Sequence, residues 1–270
     1  MKVDYKKKKR KPGKGSKKYI ELRNRRTAIL IAFFSALLIA AICIGISVQH
    51  AHRSSFHFDT DADKVQGVDV SEHNGEVDWK QLRTDAEFAI IRVGYRGYNN
   101  GSLQADKTAK KNLRAAKRAD VPVGVYFYSQ AVTPQEAEEE AQFVLDFVRH
   151  YDVVLPVFID YEYAYGSDGT HAGRLFDAAL TPQEATEVLN AFCKQVTDAG
   201  YTAGVYASTY FYNDKFIPSK LKRGTVKWVA DYNKEITYTG DYDIWQYSKT
   251  GVLSGNGSKY IDLNYWYVNP

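Results

Sequence analysis

Two acidic residues follow a run of apolar residues near the middle of the chain and stand two positions apart. They are Asp160 and Glu162, in the stretch VVLPVFIDYEY at 153–163. If this stretch is a strand, residues i and i+2 point to the same side, so both carboxyl groups face one space. An apolar setting and a neighbouring carboxylate both raise a carboxyl pKa, which lets such a group act as a general acid near neutral pH. The same spacing also fits a plainer role, in which both residues cap the following loop or form salt bridges with it.

Other predicted strands also end in residues suited to chemistry on sugars. The polar residues at these ends are Asp69, Asp231, Gln246 and Asp262, and the aromatic residues beside them are Tyr126, Tyr128, Tyr206, Trp228, Trp245 and Tyr247. Carboxylates perform acid and base catalysis at glycosidic bonds, while aromatic rings stack on sugar faces. If these strand ends meet at one rim, the sequence predicts a carbohydrate site with catalytic carboxylates.

Several other residues carry less weight. Asp69 precedes Ser-Glu-His and also fits a turn, and His73 is typical of a loop histidine as well as of a substrate contact. No group of His, Cys and Asp residues has the spacing of metal ligands, so we predict neither a metal nor another cofactor. The sequence has no G-x-S-x-G motif, which argues against a Ser-His-Asp hydrolase.

Strand-like and helix-like segments alternate from residue 65 onward. The predicted strands cover 65–71, 87–95, 122–129, 153–163, 202–208, 225–232, 242–248 and 259–265, and the predicted helices are WKQLR after Asp78, 106–119, 133–151 and 181–200. This order predicts an α/β fold: a single (β/α) barrel of TIM-like type, modified and strand-rich at its C-terminal side. An open doubly wound sheet is the alternative, but no nucleotide-binding glycine motif follows any strand. In such a barrel the carboxyl ends of the strands carry the active site, which is where the residues above stand.

The N-terminal part of the chain has a different composition. Residues 1–26 contain thirteen basic and two acidic residues, a charge of +11, whereas the remaining 23 basic and 30 acidic residues give −7. Residues 27–48 carry no charge over 22 positions. As a helix they would measure about 33 Å, enough to cross a hydrocarbon core of roughly 30 Å. The basic residues before this segment predict a cytoplasmic N-terminus.

We therefore predict four parts: a basic cytoplasmic tail at 1–26, a transmembrane signal-anchor helix at 27–48, a linker at 49–64 and an extracellular barrel at 65–270. The alternative is a cleaved signal peptide, whose apolar region is shorter and precedes a small-residue cleavage site. The basic tail lacks interleaved aromatic residues, so a role beside anionic lipid is favoured over nucleic-acid binding. The expected location is the cell membrane, with a single pass and the barrel facing the cell wall.

The two cysteines do not form a disulfide framework. Cys43 lies in the predicted membrane segment, whereas Cys193 stands on one helical side with Leu189 and Val196. Cys193 is therefore predicted to be a small buried apolar residue. The barrel must then be stabilised by its core alone, and the 206 residues of 65–270 are enough for that.

A series of motifs resembles glycoside hydrolase family 25 across essentially all of 65–270. They are GVDVSEHNGEVDW (67–79), AIIRVGYRGY (89–98), PVGVYFYS (122–129), FIDYEY (158–163), GVYAS (204–208), WVADY (228–232), IWQYS (244–248) and IDLN (261–264). The resemblance implies an N-acetylmuramidase, which cleaves the β-1,4 bond between N-acetylmuramic acid and N-acetylglucosamine in peptidoglycan. It also implies that glycan strands of peptidoglycan are the partner of the barrel.

The same resemblance implies roles for particular residues. Glu162 matches the general acid, and Asp160 and Asp69 match the other catalytic carboxylates. Either the substrate's 2-acetamido group attacks the anomeric carbon while Asp160 stabilises the resulting charge, or a carboxylate activates water for inversion. The residues expected to bind substrate are Tyr126, Tyr128, Tyr206, Trp228, Gln246 and Asp262. Asp262 is one match for a further C-terminal aspartate, while Asn256 stands where relatives carry Asp.

Three alternatives remain at the level of the sequence. Family 18 chitinases need D-x-x-D-x-D-x-E, and the first two of these positions are Leu155 and Phe158 here. A catalytically inactive glycan-binding barrel would usually have lost a catalytic carboxylate, and all three are present. A barrel that only scaffolds a cell-envelope complex is the third alternative, and activity without any partner would distinguish it from an enzyme.

Overall fold

The computed structural model describes residues 13–53 and 56–268, with the side chains of 18, 22 and 41–53 left out. The chain divides into two compact units, residues 1–49 and 50–270. Helix α1, Lys17–Arg53, accounts for most of the described residues of the first unit and ends four residues beyond its boundary, so the start of the predicted linker is helical. The sequence QHAHR at 49–53 has no Gly or Pro, the residues least compatible with a helix.

Within the described residues, no helix offers a stretch both long and apolar enough to cross a membrane. The predicted span at 27–48 lies in α1, and its side chains from 41 onward fall outside the described residues. Residues 1–12 of the predicted basic tail also lie outside them.

The second unit alternates strands and helices. Its strands are β1 (Lys64–Val70), β2 (Phe88–Arg96), β3 (Leu103–Ala105), β4 (Val123–Ser129), β5 (Val157–Tyr161), β6 (Ala164–Tyr165), β7 (His171–Ala172), β8 (Ala203–Ser208), β9 (Val226–Ala230), β10 (Ile244–Gly251) and β11 (Ile261–Tyr267). Its helices are α2 (Trp79–Leu82), α3 (Ala109–Arg118), α4 (Pro134–Val148), α5 (Arg174–Asp177), α6 (Pro182–Asp198) and α7 (Thr209–Asp214), with short 3₁₀ helices at Glu72–Asn74 and Pro218–Lys220.

Eight of these strands close into a barrel. The order around the ring is β1, β2, β4, β5, β8, β9, β10 and β11, and β11 pairs back with β1. The first seven run parallel, whereas β11 is antiparallel to both of its neighbours. The predicted mixed α/β barrel is confirmed. Because β11 is antiparallel to β10, the connection between these two strands needs no crossover helix.

The side chains of the barrel strands alternate between two cores. Phe158 points into a small inner core with Phe88 and Trp228, while Ile159 belongs to the larger core between strands and helices. Gly204 on β8 leaves room for Phe158, because a Cβ at this glycine would lie 2.2 Å from the ring. Large aromatic side chains therefore fill the inner core of the barrel.

Helices α4 and α6 start where the sequence predicted, whereas strand β5 is shorter than predicted. The Thr133 and Thr181 side chains accept hydrogen bonds from the backbone N–H three residues later, with proline at the first helical position. Strand β5 is shorter than the predicted 153–163: residues 153–156 pass by the beginning of β4, where Leu155 N donates to Val123 O at 3.0 Å. Elements β3, β6, β7, α5 and α7, each of six residues or fewer, were not predicted.

Candidate active site

A cavity of about 640 Å³ opens at the carboxyl ends of the parallel strands. Eight of the nine predicted site residues line it: Asp69, Tyr126, Asp160, Glu162, Tyr206, Trp228, Gln246 and Asp262. Tyr128, the ninth, does not line the cavity. Burial raises the pKa of its hydroxyl group, and the nearby charges of Glu162 and Asp160 raise this pKa further. The structure thus brings together residues that the sequence placed on seven different strands.

Asp160 lies on β5, between Tyr128 of β4 and Tyr206 of β8. It is only 5% exposed, and its Oδ1 atom has no hydrogen-bond partner among the described residues. Burial raises its pKa well above the ordinary range, and the charges of Glu162 and Asp69 raise it further. An acceptor atom that is buried and unpartnered is rare in folded proteins and marks a place where a ligand can bind.

Glu162 stands one residue beyond the end of β5 and is partly exposed to the cavity. Burial, followed by the charge of Asp69, raises its pKa to about 7, while Lys249 acts in the opposite direction. Its main chain is held in place because Gln130 Nε2 donates to Glu162 O at 3.1 Å. A carboxyl group with this pKa still carries its proton in a large fraction of molecules near neutral pH, as a general acid must.

A second pair of carboxyl groups forms where the first barrel strand meets the last. Asp69 of β1 lies directly opposite Asp262 of β11, and their side chains share a hydrogen bond. Asp69 Oδ2 also accepts hydrogen bonds from Gln246 Nε2 at 2.8 Å and Asn264 Nδ2 at 2.9 Å. Burial raises the pKa of Asp69 to about 6, and burial together with the Asp69 charge raises that of Asp262 to about 8. Asp262 is therefore the proton donor in this pair at neutral pH.

Amide and hydroxyl groups fix the orientation of these carboxylates. Gln246 Oε1 accepts from Tyr206 Oη at 2.9 Å and Tyr232 Oη at 2.6 Å, which leaves Nε2 of the same side chain to face Asp69. Asn264 is fixed in a similar way, because Trp228 Nε1 donates to its Oδ1 at 2.8 Å. The aromatic residues predicted as sugar platforms thus also hold the acidic residues in position.

Other residues predicted from strand ends have structural roles. Asp231 does not line the cavity, and its carboxylate accepts hydrogen bonds from Thr209, Asn233 and Thr237 at 2.6–3.2 Å. Trp245 Nε1 donates to Asp231 O at 2.7 Å.

Three more positions singled out in the sequence also lie away from the cavity lining. Tyr247 Oη donates to Gln66 Oε1 at 2.9 Å, and Asn256 Nδ2 donates to Ser258 O at 2.9 Å. His73 is exposed, which agrees with a loop histidine. By contrast, the plainer role for Asp160 and Glu162 finds no support, since neither forms a salt bridge within the part of the chain described.

One wall of the cavity was missed by sequence reasoning. It consists of Tyr163, Tyr165 and His171 from the β6–β7 hairpin together with Tyr210 and Phe211 from α7. The His171 ring lies 4.9 Å from Tyr165 and 5.1 Å from Tyr163, and Tyr163 lies 4.7 Å from Phe211. The alternation Tyr-Glu-Tyr-Ala-Tyr after Asp160 was the available signal. We call these five residues the aromatic wall.

Four further lining residues also escaped prediction: Ser208, Ala230, Tyr232 and Lys249. No three His, Cys, Asp or Glu side chains of the described residues are grouped so that they could hold a metal ion. The cavity can therefore supply proton donors, proton acceptors and aromatic surfaces, which are the groups that hydrolysis of a glycosidic bond requires.

The barrel carries paired carboxyl groups and aromatic side chains at the carboxyl ends of its strands. This arrangement is the one expected of the class of glycoside hydrolases. The sequence model of glycosyl hydrolases family 25 matches residues 68–256. The chain belongs to glycosyl hydrolase family 25, which confirms the resemblance seen in its motifs.

Known proteins with similar sequences and structures agree with this assignment. An autolytic lysozyme of Clostridium acetobutylicum is 24% identical over 208 residues, covering 73% of this chain and 55% of the relative. The modular autolysin LytC from Streptococcus pneumoniae, solved with a synthetic peptidoglycan ligand, matches 80% of this chain and 49% of its own with a TM-score of 0.64 and 22% identity. A family 25 glycosyl hydrolase from Bacillus anthracis matches 79% of this chain and 93% of its own, with a TM-score of 0.62 and 24% identity. The chain spans about half the length of the first two proteins.

Proposed function

We propose that this chain is a peptidoglycan hydrolase that cleaves the β-1,4 bond between N-acetylmuramic acid and N-acetylglucosamine. The observation that carries the proposal is the position of Glu162, a proton-bearing carboxyl group that reaches an aromatic-lined cavity directly beside the unpartnered Asp160. Family membership and the lysozyme and peptidoglycan-binding relatives support the choice of substrate.

In the first step, Glu162 donates its proton to the oxygen that links the two sugars. The bond between this oxygen and the anomeric carbon breaks, and its electron pair stays with the protonated leaving sugar. Because burial and the charge of Asp69 raise the pKa of Glu162 to about 7, the proton is present at neutral pH and is readily released. The anomeric carbon gains positive charge in this step and needs a partner.

Asp160 directs the substrate's own acetamido group to that carbon. Its unpartnered Oδ1 accepts a hydrogen bond from the acetamido N–H, so that the acetamido oxygen faces the anomeric carbon. The oxygen bonds to the carbon as the leaving group departs, and the resulting oxazolinium ion is stabilised by the buried carboxyl group. Water then adds to the anomeric carbon, gives a proton to the Glu162 carboxylate and opens the oxazolinium ring, with net retention of configuration.

The direct test digests purified peptidoglycan with the full-length protein in detergent, reduces the products with borohydride and identifies the new ends by mass spectrometry. We expect muramitol ends, and a loss of about a thousandfold in rate for Glu162→Gln, since a positioned general acid contributes about 10²–10⁴-fold. Glucosaminitol ends would reassign the bond, and no new ends from either protein would favour a glycan-binding or scaffolding barrel. Proton NMR of fresh products tests the mechanism: initial β-anomers support the acetamido route, and α-anomers support direct attack by water.

We also propose that residues 27–48 anchor the protein in the cell membrane with the barrel outside. The proposal rests on their 22 uncharged residues and on the +11 charge of residues 1–26. Carbonate washing of membranes should leave the protein in the pellet, and protease added to intact protoplasts should digest the barrel. Release into the soluble fraction, or protection of the barrel from protease, would contradict the anchor or its orientation, respectively.

A further inference from the structure

A single lysine stands among the acidic and aromatic residues of the cavity. Lys249 is the only Lys or Arg among the described residues that line it, and it shares the cavity with the carboxyl groups of Asp69, Asp160, Glu162 and Asp262. Catalysis of the proposed reaction uses the carboxyl groups and gives Lys249 no part. A cation in such a place needs its own explanation.

The position of Lys249 depends on a local irregularity of the sheet. Gln246 on β10 points into the cavity, and simple alternation would turn residue 249 to the opposite face. The pairing of β10 with β11 shifts register twice, between Gln246 and Ser248 and between Ser248 and Gly251. Such bulges redirect side chains and often lie next to active sites. Two register shifts thus place the Lys249 ammonium at the cavity rim.

The ammonium group is held in place but not neutralised. Lys249 Nζ lies 5.0 Å from the centre of the Tyr232 ring, and that ring is fixed because Tyr232 Oη donates to Gln246 Oε1 at 2.6 Å. Within the described part of the chain, Lys249 forms no salt bridge. Its charge nevertheless lowers the pKa of both Glu162 and Asp262, so it faces the reacting end of the cavity.

The proposed substrate offers one group that such a cation can distinguish. N-acetylmuramic acid and N-acetylglucosamine share the pyranose ring and the acetamido group, and they differ by the lactyl ether on carbon 3. The lactyl group ends in a carboxyl group. It is either a free carboxylate or is joined by an amide bond to a peptide that has carboxylates of its own. An ammonium at the rim therefore meets an anion only when the bound sugar is a muramyl residue.

We propose that Lys249 is a specificity-determining residue that binds a carboxylate of the muramyl side chain and so selects muramyl glycans over neutral ones. The inference rests on the proposed function and deepens it. Aromatic stacking holds any sugar with the right ring, whereas the ammonium adds free energy only for the anionic one.

The test compares matched charged and neutral glycans with the full-length protein in detergent. The charged substrate is peptide-free glycan with lactyl carboxylates, and the neutral one is the same glycan with these carboxylates converted to methylamides. Lys249→Gln is the variant. Lys259→Gln is the control, because Lys259 is also an exposed lysine over a tyrosine ring, at 4.8 Å from Tyr260, but does not line the cavity. Rates are compared at the plateau of each pH profile, since removing the Lys249 charge also raises the pKa of Glu162.

We expect Lys249→Gln to lose about tenfold in kcat/KM on the charged glycan, equivalent to about 1.4 kcal/mol. It should stay within twofold of the unmodified protein on the methylamide glycan, and Lys259→Gln should match the unmodified protein on both. Where the methylamide glycan turns over too slowly, dissociation constants in the Glu162→Gln background give the same comparison. A loss confined to peptide-bearing glycan would assign the bound carboxylate to the peptide instead of the lactyl group.

Two results would overturn the proposal. An equal loss on both glycans would mean that Lys249 acts only through the charge or shape of the cavity. No loss on any muramyl glycan, with or without peptide, would mean that it binds no substrate carboxylate. Failure of the unmodified protein to cleave either the glycan or intact peptidoglycan is a different outcome, since it removes the proposed function itself.

Discussion

Asp106 and Asp160 are buried to nearly the same extent, 3% and 5% exposed, yet they have opposite electrostatic properties. Asp106 accepts hydrogen bonds from Arg92 Nε and Glu72 N, both at 2.9 Å, and from the backbone and hydroxyl of Thr108. Burial alone would raise its pKa, but these donors lower it. Asp160 has one oxygen without a partner among the described residues, and its pKa is raised.

Asp231 extends the comparison, because it also stands at a strand end and is 5% exposed. Burial opposes its ionisation, yet hydrogen bonds from Thr237 and Asn233 lower its pKa to about 2. Burial therefore does not distinguish a structural aspartate from one in the site; the donors that the chain supplies do. Where the chain leaves an oxygen without a donor, the substrate can supply one.

The largest effect is expected when Asp106, whose carboxylate accepts several hydrogen bonds from the chain, loses its charge. Asp106→Asn should lower the free energy of unfolding by about 3 kcal/mol, because Arg92 is buried and keeps only Glu72 as a partner. Urea denaturation at pH 7 measures the loss. Asp120→Asn, at an exposed turn, is the control and should stay within about 0.5 kcal/mol. Equal stability of Asp106→Asn and the unmodified protein would contradict the structural role.

Asp160→Asn should show the reverse pattern. We expect kcat to fall about a hundredfold, since an electrostatic group next to the reacting carbon is lost, while the free energy of unfolding at pH 7 is kept or increased. The buried Asp160 carboxylate must take up a proton when the protein folds at pH 7, which costs free energy, whereas an asparagine side chain is already uncharged. Peptidoglycan turnover and urea denaturation on the same preparation provide both values. A loss of stability as large as that of Asp106→Asn would remove the contrast between the two residues.

The pH dependence of stability should separate the two groups of carboxylates. The pKa values of about 6, 7 and 8 for Asp69, Glu162 and Asp262 lie above unfolded values near 4, so the folded protein binds more protons between these limits. Their stabilising contribution is complete below about pH 4 and is lost as the pH rises towards 8. The lowered pKa values of Asp106 and Asp231 act in the opposite direction, and their contribution is lost only as the pH falls below about 4.

Unfolding free energies at pH 5 and pH 8.5 measure this difference. Asp262→Asn should lose less stability than the unmodified protein between these two pH values, by at least about 1 kcal/mol, because one raised pKa has been removed. Asp231→Asn is the control, and its change between the same pH values should equal that of the unmodified protein. Parallel behaviour of all three proteins would show that the Asp262 carboxyl group is not shifted.

The smallest expected effect concerns the aromatic wall. Tyr165 is 64% exposed beside the cavity, so Tyr165→Ala should leave the free energy of unfolding unchanged but raise KM for peptidoglycan about three- to tenfold. Tyr260→Ala removes a tyrosine that is 41% exposed but does not line the cavity, and should leave KM unchanged. Equal KM values for both variants would show that the wall does not bind sugar.

The sequence predicted all eight strands of the barrel, because buried strands between helices form continuous β-branched and apolar runs such as EFAIIRVGY at 87–95. The strand-end pattern alone could not separate Asp231 from Asp262: Asp231 follows β9, whereas Asp262 is the second residue of β11, whose antiparallel direction the pattern did not reveal. The difference lies in whether Asn233 and Thr237 fold back onto the carboxylate, which depends on a loop conformation. Lys249 was missed for a related reason: alternation along β10 holds only until the first register shift.

Strand β11 has a consequence for how the protein becomes active. Asp69 and Asp262 are opposite each other in the barrel but 193 positions apart in the chain. Contacts between such distant positions form slowly during folding, because a long loop must close before they are gained. A chain still being synthesised has β1 long before it has β11, so the Asp69–Asp262 pair cannot exist until nearly the whole barrel has left the ribosome. The proposed catalytic site is thereby completed only when β11 joins the barrel.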